Sequence, residues 1–174
     1  MASGTALYVG RFRLFHKGYL EVIKYILEES SSSLIIAVGA AEVSHREDNP
    51  FTGEERVSII ESALMQQGLR PKVQVIPIGE TNARYEDWTQ LVQSLCPPFQ
   101  LVYSWSELVR LLFERAGYAT KPVPQFSRGE FSFAFIVDKI INDKPWQDLV
   151  PGAVVEFIRK QRLDQRLKRL CSIG

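Results

Sequence analysis

The chain reads as an α/β domain, a Rossmann-like parallel sheet with helices on both faces. Three observations predict this. Apolar runs of strand length alternate with amphipathic helical patterns, the mark of strand–helix–strand crossovers. The run Leu34-Ile35-Ile36-Ala37-Val38 is apolar throughout and ends at Gly39, which suits a parallel strand covered on both faces. Small residues, Gly10, Gly39, Gly79 and Ser104, sit at the ends of the strand-like runs, where open parallel sheets bind their ligands.

Taken in order, residues 7–9 form the first strand. Residues 17–29 form a helix whose Leu20, Val22, Ile23, Ile26 and Leu27 make an apolar stripe. A second strand spans 34–39. A helix follows over 54–66, with Thr52 as N-cap and Glu55 completing a capping box. Residues 73–78 are a strand, and 85–95 a helix stopped by Pro97-Pro98. A short strand over 101–103 leads to a helix over 106–116. Residues 122–126 are extended, and 135–142 and 152–170 are helical. Residues 1–4 read as a leader outside the fold and 30–33 as a serine-rich loop. A single domain over 5–174, with a helical tail over 152–174, fits the length.

Composition narrows the function. Apolar content is 45% and net charge +1, so a real core is available and no electrostatic case for nucleic acid exists. The locally basic stretch over 159–169 reads as a solvated helix face. No run is long enough to span a membrane, and no signal peptide is visible. Cys96 and Cys171 have neither metal-ligand spacing nor a disulfide framework, which points to a reducing, cytoplasmic setting. No metal site is predicted.

The most informative stretch is Gly10-Arg11-Phe12-Arg13-Leu14-Phe15-His16-Lys17-Gly18-Tyr19. It leaves a strand through glycine and enters a helix through histidine and glycine. Such a loop lets backbone approach a ligand, the helix N-terminus favours anionic oxygens, and His16 adds a hydrogen-bonding group.

This loop resembles the G-R-F-x-P-F-H-x-G-H signature of the nucleotidyltransferases. The run from Gly39 through Ser44-His45 to Asn49-Pro50-Phe51-Thr52-Gly53-Glu54-Glu55-Arg56 looks like the archaeal-type nicotinamide mononucleotide adenylyltransferases. So do Trp88, Pro97-Pro98-Phe99 leading to Val102-Tyr103-Ser104, and Pro145-Trp146 with Leu149-Val150-Pro151. The resemblance implies the nucleotidyltransferase fold and the joining of ATP to nicotinamide mononucleotide, with Mg²⁺, to give NAD and pyrophosphate. It implies that His16 contacts the ATP phosphates and that Arg11 and Arg56 supply positive charge. Gly10, Phe12, Gly18, Gly39 and Ser44 would lie beside the nucleotide, and Trp88 would stack on the nicotinamide. His45 reads as a surface or structural histidine. The family commonly assembles into homo-oligomers, so self-association is expected.

The departures from the pattern cluster at the ligand. Arg13 and Leu14 replace glutamine and proline, and Tyr19 replaces the second histidine. Gly79-Glu80 replaces Pro-Asp, and Trp105-Ser106 replaces Gly-Asn. Where the family has S-G-T-x-I-R, whose arginine binds ATP phosphates, this chain reads Ser132-Phe133-Ala134-Phe135-Ile136-Val137. Losing one preorganised electrostatic donor costs roughly 3–4 kcal/mol of barrier. The expectation is a pocket rebuilt by engineering, or by selection for a new ligand, lined by Arg13, Leu14, Tyr19, Trp105, Phe133, Ala134 and Val137. It would bind or turn over a small aromatic ligand with no cofactor required. One alternative is a divergent enzyme that still makes NAD. Another is an esterase built from Ser106, His16 and Glu80, or a catalyst using Glu80 as a desolvated general base.

Overall fold

The computed structural model describes residues 4–29, 32–80, 85–124, 126 and 129–172, and for 85–86 the backbone alone. The expected leader, apart from Gly4, and Ser30 and Ser31 of the serine-rich loop lie outside the described residues. The elements run β1 (Thr5–Gly10), α1 (Lys17–Glu29), β2 (Ser33–Val38), α2 (Gly53–Gln66), β3 (Val73–Pro77), α3 (Tyr85–Leu95), β4 (Leu101–Ser104), α4 (Glu107–Arg115), β5 (Ala119–Lys121), α5 (Phe133–Ile141), α6 (Gly152–Lys160) and α7 (Leu163–Cys171).

The five strands form one sheet in the order β3-β2-β1-β4-β5, every pair parallel. Strand order reverses between β1 and β4, so the ligand crevice of such a sheet opens above their carboxyl ends. Alternation along β1 separates two cores. Ala6 and Tyr8 face α1, α2 and the C-terminal helices, packing with Ile23, Ile60, Ile136, Val154 and Leu167. Leu7 and Val9 face α3 and α4, packing with Val92 and Phe113.

Local chemistry sets the element ends. The expected capping box holds: Glu55 N–H donates to Thr52 Oγ1 at 3.1 Å, and Thr52 N–H donates to Glu55 Oε2 at 2.9 Å. Gly53 starts α2 where a Cβ would lie 2.5 Å from the Ala41 carbonyl oxygen, so only glycine lets the helix dock there.

Three expectations are corrected. The helix placed over 152–170 is two helices, broken at Arg162, which adopts φ 53°. That turn folds α7 back so that Leu163 and Leu167 are fully buried. Helix α5 begins at Phe133, two residues early, because Ser132 caps it by accepting the Phe135 N–H at 3.2 Å. The edge strand β5 precedes the segment expected to be extended, and Gln125 of that segment lies outside the described residues. No helix among the described residues is long and apolar enough to cross a membrane.

Helix α7 is tied to α2 by Arg166, whose two terminal nitrogens reach the Glu55 carboxylate at 2.6 and 2.9 Å. Burial works to raise the Glu55 pKa. The Arg166 hydrogen bonds, the Thr52 amide and the charges of Arg166 and His45 outweigh it, and the carboxyl titrates below its ordinary value. A depressed carboxyl stabilises the fold above the unfolded-state value of 4.5 and loses that contribution as pH falls through the lower folded value. Arg166→Ala is expected to cost about 2 kcal/mol at neutral pH, read by urea unfolding, with the difference from the parent shrinking in acid.

Candidate active site

The loop from β1 to α1 wraps the carboxyl end of the sheet. Phe12 sits at φ 46° and is 1% exposed, a left-handed backbone that a bulky residue adopts only when packing holds it. Its ring meets Tyr8 edge-on at 5.1 Å and Tyr19 at 4.9 Å. His16 closes the loop; its carbonyl accepts the Tyr19 N–H at 3.0 Å as α1 begins. The first turn of α1 holds no acidic residue, so nothing on it opposes an anion at the free amides of a helix start.

The His16 ring is buried and stacks on Tyr19 at 4.0 Å, 14° from parallel. Phe131 lies nearly parallel at 6.1 Å. Nδ1 of His16 is buried without a hydrogen-bond partner. Gly18 makes this possible, since a Cβ there would stand 2.9 Å from Phe131 Cβ and 3.0 Å from His16 Nδ1. Burial pulls the His16 pKa down to about 4, so the imidazole is neutral at neutral pH. Burial pushes the Tyr19 phenol up, against the opposing charge of Arg13. Tyr8 is pushed well above its ordinary value by burial, with Tyr19 adding and the nearby Trp105 side chain opposing.

Arg56, expected to supply positive charge, lies inside the fold. The residue is 1% exposed. Its Nη1 donates to the carbonyls of Arg11 at 2.7 Å and Gly39 at 2.9 Å, and its Nη2 to that of Ala40 at 2.6 Å. It clamps the loops after β1 and β2 together. Burial and then the Arg11 charge lower its pKa, while Glu42 raises it. Gly39 N–H donates to the Gly10 carbonyl at 2.8 Å and closes the same junction.

The other expected residues fall into place unevenly. Arg11 is exposed and pairs with Glu80 at 3.5 Å. The Glu80 side chain is 48% exposed, which removes the desolvated base. Ser106 is the N-cap of α4, its oxygen accepting the Val109 N–H at 3.3 Å. No hydrogen bond or ion pair joins Ser106, His16 and Glu80, so the esterase triad is not assembled. Leu14 and Val137 belong to the main core rather than to an open pocket. Phe133 lies under the Arg13 guanidinium at 4.5 Å, Ala134 is exposed and Trp105 is 38% exposed. Trp88 donates its indole N–H to the Gly79 carbonyl at 3.1 Å and meets Phe113 edge-on. Ser44 bonds to its neighbour His45 at 2.9 Å.

Sequence reasoning missed Phe131, Glu42 and Arg110. Glu42 accepts the Glu80 N–H at 2.6 Å. Arg110 donates to the carbonyls of Ser104 at 2.8 Å and Trp105 at 3.2 Å. No local pattern marks them, because each reaches its place across a gap in sequence or by capping a strand end. With Arg13, which donates to the Asp48 carbonyl, Arg56 and Arg110 make a set of guanidiniums held by backbone carbonyls. Among the described residues none of the three pairs with a carboxylate. The three guanidiniums are held by carbonyls, with Glu42 acting on Arg56 only at a distance, and cationic donors so placed suit an anion.

Residues 7–149 match the family model described as cytidylyltransferase-like. A nicotinamide-nucleotide adenylyltransferase of Methanococcus aeolicus is 38% identical over 165 residues, 95% of this chain and 94% of that protein. One of Methanospirillum hungatei is 41% identical over 155 residues, 89% of this chain and 87% of that protein. A bifunctional NMN adenylyltransferase/ADP ribose pyrophosphatase of Francisella tularensis, complexed with AMP and an Mn ion, superposes with a TM-score of 0.75 at 21% identity. That match covers 97% of this chain and 52% of the other, and it shows the fold. The chain belongs to the cytidylyltransferase-like family, and within it resembles archaeal proteins named nicotinamide-nucleotide adenylyltransferase.

Arg56→Ala removes three hydrogen bonds, of which, among the described residues, only that to Ala40 is backed by a second donor, the Val43 N–H at 3.2 Å, and is expected to cost about 3 kcal/mol in denaturant unfolding. His16 is expected to titrate near 4 by NMR. Its folded value lies below the unfolded 6.5, so the unfolded chain binds the extra proton between those values. Stability therefore falls as pH drops through that window, and His16→Gln should flatten this part of the profile.

Proposed function

We propose that this chain is a nicotinamide-nucleotide adenylyltransferase, a divergent member that retains transfer. The reading is supported by relatives of that name along nearly the whole chain. The observation that carries it is the set of arginines held by backbone carbonyls at the carboxyl ends of β1, β2 and β4. A 5′-phosphate oxygen of nicotinamide mononucleotide attacks the α-phosphorus of ATP in line. The bond from that phosphorus to the bridging oxygen breaks, and pyrophosphate leaves. The protein's share is positioning and charge neutralisation. Neutral His16 donates a ring N–H to a phosphate oxygen, the first amides of α1 supply backbone donors, and Arg56 holds the two loops that frame them.

No group of three or more His, Cys, Asp or Glu among the described residues is placed to hold a metal. Mg²⁺ fits here as an ion carried mainly by the substrate's phosphates, where it would neutralise charge on the triphosphate.

A second reading has one observation in its favour: Phe131, Phe133 and Trp105 bring aromatic surface to the crevice, which suits a flat apolar ligand held without transfer. Calorimetric titration with ATP–Mg²⁺ and nicotinamide mononucleotide, with an NAD-formation assay on the same sample, separates the two. ATP binding with NAD production is expected. A folded sample that binds neither substrate would sink the transferase reading and turn the search to aromatic ligands.

A further inference from the structure

Arg13 follows buried Phe12 and precedes buried Leu14 on the β1–α1 loop. With both neighbours anchored in the core, its own side chain is left at the cleft. The guanidinium lies 4.5 Å over the ring of Phe133, the first residue of α5. One terminal nitrogen donates to the Asp48 carbonyl at 3.2 Å. The Asp48 carboxylate turns instead to Arg46, at 3.4 Å. Arg13 is half-buried and, among the described residues, has no carboxylate partner. Arg11, two positions earlier, is the contrasting case, since Glu80 neutralises it.

A half-buried cation satisfied by one carbonyl has lost hydration without gaining a counter-charge. Stacking on an aromatic face costs it no hydrogen bonds, because the guanidinium donors lie in the plane of the group. Its remaining N–H fork matches adjacent phosphate oxygens. Helix α5 offers no competing cation from position 137, where Val137 is buried in the core. Lys139, further along, lies over the exposed Phe135 ring at 4.9 Å.

We propose that Arg13 is the polyphosphate-binding side chain of this cleft, with Phe133 as the platform that presents it. The proposal rests on the adenylyl-transfer reading and names the residue that replaces an α5 arginine. The chemistry it recognises is a pair of linked phosphates, whether carried by a nucleoside triphosphate or free as pyrophosphate.

The test is calorimetric titration of the full chain and of Arg13→Gln and Arg13→Lys with ATP, inorganic pyrophosphate and adenosine. Thermal melts confirm that each variant folds. Arg13→Gln is expected to weaken ATP and pyrophosphate about tenfold or more and to leave adenosine unchanged. Arg13→Lys, which keeps the charge but loses the fork and the stacking, should fall between. Weakening of both ligands identifies the linked phosphates themselves as the target, and weakening of ATP alone identifies phosphates presented by the nucleotide. Unchanged affinity of Arg13→Gln for both, or a parent chain that binds neither, overturns the proposal. Arg13-dependent ATP binding without NAD formation sinks the transfer reading alone.

Discussion

The candidate site depends on a buried guanidinium whose hydrogen bonds all go to backbone carbonyls. Arg56 rises from α2 and joins the chain after β1 to the chain after β2 through the carbonyls of Arg11, Gly39 and Ala40. Neither loop is held by regular secondary structure at that point, and Ala40 itself takes a left-handed backbone at φ 50°. Carbonyls that turn inward need donors, and one arginine supplies them together. Its hydrogen-bond partners are neutral and Glu42 acts on it only at a distance, so the residue that braces the crevice keeps a charge that favours anions.

Around that brace the cleft combines cations with aromatic rings. Arg13 rests on Phe133, and Arg110 caps the end of β4 beside Trp105. His16 stacks on Tyr19. Rings cover flat faces and leave edges free, so they pack without consuming the donors that phosphate needs. The neutral imidazole follows from the same packing, because a buried ring among aromatics is disfavoured in its charged form. The unpartnered His16 Nδ1 and the Arg13 fork are the polar capacity left over.

The C-terminal helices buttress this arrangement from behind. Arg166 on α7 grips Glu55 at the start of α2, and Glu55 is also half of the capping box that begins that helix. The helix that carries Arg56 is therefore pinned at its first turn by a residue far along the chain. Leu14 and Val137 extend the main core toward the crevice, which gives a structural reason for apolar residues at two of the unusual positions.

Periodicity, capping and turn chemistry determined most of the fold in advance, because those signals act between residues close in sequence. The alternation of strands and helices, the Thr52–Glu55 box and the proline stop after α3 are all local. So is the loop from Gly10 to Tyr19, which marks the candidate site. What each side chain does there was decided by tertiary structure. Arg11 and Arg56 look alike as letters, yet one is solvated beside Glu80 and the other is fully enclosed, since burial is set by what packs from distant segments. Ser106 and Ser132 stand at suggestive positions but serve as helix caps, and Phe131 reaches His16 from 115 residues away in a chain of 174. The break at Arg162 was equally hidden, because only burial of Leu163 and Leu167 against the core requires the helix to turn there.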